Sequence, residues 1–579
     1  MTGSLRRLAA MVATFSLAAL PLVAQSYPPG GDPRDGLKPG LTDAGVAIAG
    51  MRLVATAPKP APFDSVRGLT FVNSDLAFRG NLVYQGNFAG FSIWDVSNPA
   101  RPRMVSVVEC ITSQGDPTII GNLLFVSAEG GGNRNDCAKG GVQDPSEHMA
   151  GVRIYDVSNP RAPRLVKNVQ TCKGSHTHTV IPHPRDRGVV YIYVSGSQGA
   201  REAMEGCVNG DDPADPNNSL YRLDVIRVPL ANPEQAAVVT GARIFTGLDA
   251  APQREGRQAR RGGGPRNCHD VTAYPAMNLL AGACGSYGLL VDISDPEQPR
   301  RLDAVADTNF SLWHTAVFSN DGKKVLFTDE WGGGTQPMCQ ATSMMEMGGN
   351  TVLTIGEGGK YRQHAYFKIP TGQAANENCV SHNGSLIPVP GRDIAVQGWY
   401  QGGVNIIDFT DPDRPFEIGY FDRGPVDPPP AEGERGSNTI GGSWGAYWYN
   451  GYIYSSEMAR GLDVLELVPG AQLSANEIAA AKLVVMDEFN PQSQPHVSWP
   501  AAFPVVRSYV DQLERGNGLA SARIAAIRSA LDAAERQSGS ARATALRTLA
   551  GQLDRDVAAA SDKARVRALA AETRRLAGS

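Results

Sequence analysis

Several things are scarce in this chain, and each scarcity excludes a class of protein. No long apolar run occurs after the first two dozen residues, so no later stretch reads as a membrane-spanning helix. Basic residues are not in excess: the formal net charge is −4, which gives no field to gather phosphates and excludes a general nucleic-acid binder. No Gly-rich loop ends in Lys-Ser/Thr, so no nucleotide-phosphate cradle is visible. No GxSxG elbow marks a hydrolase serine. The eight cysteines include no CxxC pair, which leaves thioredoxin-like and zinc-ribbon readings without support. Histidine is rare, with nine residues in 579.

What is abundant is turn chemistry. With 64 Gly and 40 Pro, the chain suits many short strands. One phrase recurs: an apolar strand, then Asp, a small polar residue, Asp or Asn, and Pro. It reads FSIWDVSNPARP from Phe91, VRIYDVSNPRAP from Val152, LLVDISDPEQP from Leu289 and VNIIDFTDPDRP from Val404. Each copy follows a strand that ends in a Gly-rich turn. Self-similarity at this scale signals a repeat architecture, and a propeller builds its core blade by blade. Asp and Ser in the phrase can hold backbone N–H groups of a tight turn while Pro sets φ, so Asp95, Asp156, Asp292 and Asp408 are read as structural.

Seven units follow, near 70–108, 114–170, 174–246, 268–306, 312–369, 380–422 and 442–468. The last lacks a fourth strand. The lone strand Met51–Ala57 would supply it and close the ring without an open edge. Residues 1–24 read as a secretory signal, with Arg6 and Arg7 before a short apolar run, and 25–50 as a flexible lead-in. The fold expected is thus an all-β seven-bladed β-propeller over 51–468. A helix and linker follow at 469–499, opened by the capping-box pair Ser474 and Glu477. A small α-helical C-terminal module occupies 500–579, where apolar residues recur at helical spacing. The module carries 13 Lys/Arg and 8 Asp/Glu, so +5 against −9 for the remainder. Long insertions divide second from third strands at Gly130–Glu147, Gly196–Asn218 and Gly332–Gly349. The Gly-Arg stretch Gly256–Arg266 reads as a loop.

The phrases at Ser92–Pro99, Arg153–Pro160, Leu289–Pro296 and Asn405–Pro412 resemble those of LVIVD-repeat proteins. That resemblance implies an exported β-propeller (periplasmic, cell-surface or secreted) and says little about activity. The helical tail resembles the FIMAH module of secreted bacterial proteins.

Four histidines open the first strands of consecutive units: His176, His269, His314 and His382. Asp75 and Asp116 hold the equivalent places in units one and two, and Trp444-Gly445 in unit seven. First strands line a propeller's channel, so these positions should face one another at one mouth. Converging imidazole and carboxylate groups suit a divalent transition metal such as Fe, Cu or Zn, with Glu129, Glu330 and Glu457 as outer acceptors. His178 could face the channel as well. A structural account stays open, because repeats arise by duplication and a strand-opening His can simply bond a neighbouring blade. Aromatic residues at Trp399-Tyr400 and Trp444–Tyr449 read as inter-blade core.

Position narrows the cysteine pairings to Cys110–Cys137, Cys172–Cys207, Cys268–Cys284 and Cys339–Cys379. These bridges would pin the insertions over the histidine face. The functional expectation is a ligand- or partner-binding platform at that face. The alternatives are a metal-dependent oxidoreductase or lyase using the histidine ring, and a surface-interaction or structural protein.

Overall fold

A computed structural model describes residues 31–65, 68–142, 144–201, 204–252, 265–428 and 439–579. The expected signal at 1–24 and nearly all of the Gly-Arg stretch lie outside these residues.

The repeat phrase explains the local structure. In each of four copies the Asp carboxylate accepts from the backbone N–H two residues on: Asp95 from Ser97, Asp156 from Ser158, Asp292 from Ser294 and Asp408 from Thr410. In three copies its second oxygen meets an Arg eight residues along, at Arg103, Arg164 and Arg300. The turn is thereby fixed and the next strand starts in register. In the fourth copy Arg392 takes that role. These aspartates are structural, as expected.

Seven four-stranded antiparallel units result. Blade one uses Asn73–Arg79, Leu82–Asn87, Gly90–Asp95 and Arg103–Glu109; blades two to five and most of six repeat that meander in chain order. Blade seven has three strands of its own, Ser443–Tyr449, Tyr452–Glu457 and Gly461–Leu467. Its outer strand is Met51–Pro58, paired antiparallel with Gly461–Leu467. The ring is closed by the N-terminal strand, as the sequence implied. The lead-in is itself packed: Val46–Ala49 adds a fifth strand to blade six. Buried Arg34 bonds Asp32 and Glu417.

Apolar residues between adjacent sheets make the core. Blades three and four share Tyr193, Val225, Val271, Leu280 and Leu289, for example. All four expected disulfides are present. Insertions leave the ends of second strands, which are antiparallel to the first strands. Thr177 pairs with Ser195, one residue before the insertion at Gly196. Insertions and first-strand heads therefore share one face.

Five helices follow. The first, α1 (Ala475–Lys482), has the capping box of Ser474 and Glu477. Then come α2 (Phe503–Arg515), α3 (Ser521–Glu535), α4 (Gly539–Asp556) and α5 (Lys563–Ala577). The faces read from the sequence are buried together: Ile524, Ile527 and Leu531 pack with Leu546, Leu549, Leu553, Val566, Leu569 and Leu576.

The stretch between α1 and α2 is more than a spacer. It crosses the channel at the face opposite the insertions. Glu488–Phe489 pairs with Phe78 and Arg79 at the end of blade one's inner strand. Asn490 binds both the N–H and the C=O of Ile119 in blade two. Gln494 does the same to Phe318 in blade five. Trp499 donates to the Pro388 carbonyl in blade six. Amide side chains here satisfy the free edges of inner strands, which would otherwise present unpaired backbone groups.

Candidate metal centre

The four strand-opening histidines meet at the insertion-side mouth. Ring centroids step round the channel at 4.3 Å from His176 to His269, 3.9 Å to His314 and 4.1 Å to His382. The cause is register: each lies at the head of an inner strand, and inner strands of successive blades point their heads at the axis.

Outer acceptors fix three of the rings. His176 Nδ1 lies 2.5 Å from Glu129 Oε1, and Ser197 Oγ donates to the other oxygen at 2.8 Å. His269 Nδ1 lies 3.1 Å from Asp270 Oδ1. His382 Nδ1 donates to the Trp444 carbonyl. Carboxylate and carbonyl oxygens only accept, so each Nδ1 carries a proton, which leaves Nε2 as the inward-facing nitrogen of each ring. His176 Nε2 and His269 Nε2 are then 2.7 Å apart. With Glu129 lifting His176 to about 9, its Nε2 carries a proton in the metal-free protein and the contact is an N–H···N hydrogen bond to His269.

Glu330 supplies a carboxylate to the same space. Its oxygens lie 3.6 Å from His269 Nε2, 3.8 Å from His314 Nε2 and 3.7 Å from His382 Nε2. These exceed hydrogen-bond distance. Both ring nitrogens of His314 and Nε2 of His382 are buried without a partner. His269, His314 and Glu330 each offer a ligand atom within one 4.8 Å group. Tyr400 donates to Glu330 Oε1 at 2.5 Å. Tyr400 holds a left-handed φ of 51°, uncommon for an aromatic residue. Gly334 leaves room for its hydroxyl, since a Cβ there would lie 2.4 Å from it.

Burial sets the protonation states. It depresses His314 far below the ordinary imidazole range and holds His382 near 3. Burial also disfavours charge on His176, but Glu129 outweighs it and lifts the ring to about 9. Desolvation opposes charge on Glu129 and Asp270 too, yet their histidine partners keep both below the usual carboxylate range. Burial raises Glu330. Asp75 is pushed up to about 7 and Asp116 well above its normal value, chiefly by burial, with neighbouring aspartates adding to it.

Asp116 is buried, with Asp75, Asp270 and His176 as electrostatic neighbours and no hydrogen-bond partner for its Oδ1. Asp75 accepts from the Tyr447 hydroxyl and, at 3.2 Å each, from Asn383 and Gln492. Glu457, expected as an outer acceptor, holds Gly442 N, Ala459 N and Arg460 instead. His178 bonds Ser127 of blade two through Nδ1 at 2.8 Å. His148 and His364 bond elsewhere, to the Gly130 carbonyl and to Asp413. Trp399, Tyr447 and Trp448 fill core, as expected. Tyr400 and Trp444 instead flank His382 at 4.5 and 4.8 Å. Three contributors went unread in the sequence: Asp270, Tyr400 and Gln492. The His-Asp doublet at 269–270 was the one visible signal.

The mouth is half open. His176 and His269 side chains are 16% and 13% exposed, whereas His314 and His382 are fully buried. Apolar residues of blades one, six and seven, including Phe88, Tyr400, Trp444 and Met458, close the other half.

The LVIVD repeat matches residues 73–109 and 149–171. No curated protein sequence matches the chain. Among solved structures, the chain is similar to Kuenenia stuttgartiensis hydrazine synthase, at 11% identity over 69% of this chain and 97% of that one, TM-score 0.43. It is similar to Saccharomyces cerevisiae Sqt1 at 10% identity, over 70% and 98%, TM-score 0.37. A Lactobacillus plantarum protein matches at 11%, over 62% and 84%, TM-score 0.38.

Proposed function

We propose that this LVIVD-repeat β-propeller binds a divalent transition-metal ion at the head of its channel and presents it to a small ligand entering from the insertion-bearing face. The observation that carries this reading is the approach of His176 Nε2 and His269 Nε2 to 2.7 Å while both Nδ1 atoms face carboxylates. Donors held at right angles about 2.0–2.1 Å from one ion lie about 2.9 Å apart, so the pair fits adjacent ligand positions. His314 and Glu330 group with His269 within 4.8 Å, and His382 Nε2 lies 3.7 Å from Glu330. In the metal-free protein a proton on His176 fills the gap, in line with its raised pKa.

Imidazole-rich sites suit iron, copper or zinc, and such an ion supplies Lewis-acid or redox chemistry, which supports a metal-dependent oxidoreductase or lyase. The chain's own groups do the rest. Glu129, Asp270 and the Trp444 carbonyl fix tautomer and ring orientation. Tyr400 turns Glu330 toward the histidines. His176 and His269, the two rings with some solvent access, flank the side on which a ligand would enter. The bridged insertions wall that side, and four disulfides suit an exported protein.

The test is metal analysis of protein purified without a polyhistidine tag, followed by titration of stripped protein with Fe(II), Cu(II) and Zn(II). One ion per chain is expected, lost in His176→Ala/His269→Ala; the double variant also strands the buried Glu129 and Asp270 carboxyls, so its melting temperature should fall, and circular dichroism below that temperature checks that it is folded. Failure to bind any of the three ions overturns the metal reading and leaves a platform for ligands or partners.

A further inference from the structure

The strap across the far mouth has a regular pattern. Asn490, Gln492 and Gln494 alternate with Pro491, Ser493 and Pro495, and all three amides are buried. An extended segment sends every second side chain to one side. Asn490 and Gln494 each pair with the backbone N–H and C=O of one inner-strand residue. Gln492 sits between them and does something different. Its backbone carbonyl accepts from Ala273 N. Its side-chain amide reaches Asp75 Oδ2 at 3.2 Å and Asp270 Oδ2 at 3.4 Å. Asp270 in turn turns Oδ1 to His269 Nδ1.

Asp75 and Asp270 belong to blades one and four. No lysine or arginine pairs with either among the described residues. The Gln492 NH2 group is the donor placed between these two buried carboxyl groups. An amide bridging two acceptors fixes the rotation of both. The chain Gln492–Asp270–His269 thus runs from the C-terminal segment to a nitrogen that faces the centre.

We infer that Gln492 is a positioning residue of the channel site: it clamps Asp270 against His269 and so sets the direction of the His269 Nε2 lone pair. This rests on the metal reading of the same site. It makes the strap part of the site as well as a seal, so the docking of the helical module and the affinity of the centre are linked.

The test uses the full chain with Gln492→Met, which keeps the volume but removes the amide, and Asn490→Ala, which loosens the same strap without touching a carboxylate. Gln492→Met is expected to weaken Zn(II) affinity 10- to 100-fold in chelator competition, the usual effect of losing an outer partner. It should also shift the visible absorption of the cobalt(II) form. Asn490→Ala should lower the melting temperature and leave affinity and spectrum unchanged. Equal affinity losses in both variants, or a wild-type affinity and spectrum in Gln492→Met, overturn the inference. If the unaltered protein binds no metal, the metal reading falls, and metal-free crystal structures of the two variants decide the matter. Asp270 leaving His269 in Gln492→Met alone supports the positioning role; an unmoved Asp270 refutes it.

Discussion

Removal of the closing strand tests the architecture most directly. Met51–Pro58 joins Gly461–Leu467 through seven residue pairs. With roughly one ladder hydrogen bond per pair at about 0.5–1.5 kcal/mol net, the ladder contributes on the order of 4–10 kcal/mol. Burial of Met51 adds about 2 kcal/mol. The total rivals the whole stability of an ordinary domain, about 5–15 kcal/mol. Deleting residues 31–58 should therefore unfold blade seven, expose the edge at Gly461–Leu467 and cause aggregation. Thr56→Ala is the graded version. It removes the hydroxyl that donates to Asp463 at 2.6 Å and accepts from Arg423 at 2.8 Å. It should cost about 1–2 kcal/mol. Urea unfolding followed by tryptophan fluorescence, with light scattering for the deletion, measures both. A deletion mutant as soluble and as stable as the parent would refute closure by this strand.

Two further outcomes follow from particular residues. Gly442 has φ +86°, and a Cβ there would lie 1.9 Å from the Tyr400 carbonyl group. Gly442→Ala should lower stability by at least about 1–3 kcal/mol through backbone strain and displace Tyr400 from Glu330; an unchanged melting temperature in scanning calorimetry contradicts the packing described. Burial holds Glu377 near 8 and Asp422 near 7. Both keep a proton in the folded state that the unfolded chain releases near pH 4, so their contribution is whole below that pH and is lost as pH rises through 7–8. The melting temperature should fall between pH 5 and pH 9, and Glu377→Gln/Asp422→Asn should flatten that fall; a double variant with the parent's slope rejects the assignment.

The blades were legible because their signals are local. An Asp that holds the N–H two residues on, a Pro that sets φ and a strand of alternating apolar residues act within a dozen positions, and duplication printed them several times. The same repetition placed His176, His269, His314 and His382 at equivalent strand heads, and it paired the cysteines through their places in the blades. The helical module was legible from spacing alone, since its buried leucines recur every three or four residues.

What only the tertiary structure decided is which side chains meet across the axis. Glu330 faces three histidines from other strands, while Glu457, at the matching strand end, turns to Arg460 three residues on. Residue type and register were equal for both; the difference is that the Arg460 guanidinium and the Gly442 and Ala459 amides capture Glu457 first. Tyr400 read as core filling, because nothing local shows that Gly334, 66 positions earlier, clears a path for its hydroxyl. Residues 487–499 read as a spacer, because amides that cap inner strands look like any polar linker until seven blades bring their free edges round one channel. Sequence fixes what a segment does to its neighbours in the chain; convergence at a common axis joins residues hundreds of positions apart, and no local pattern encodes it.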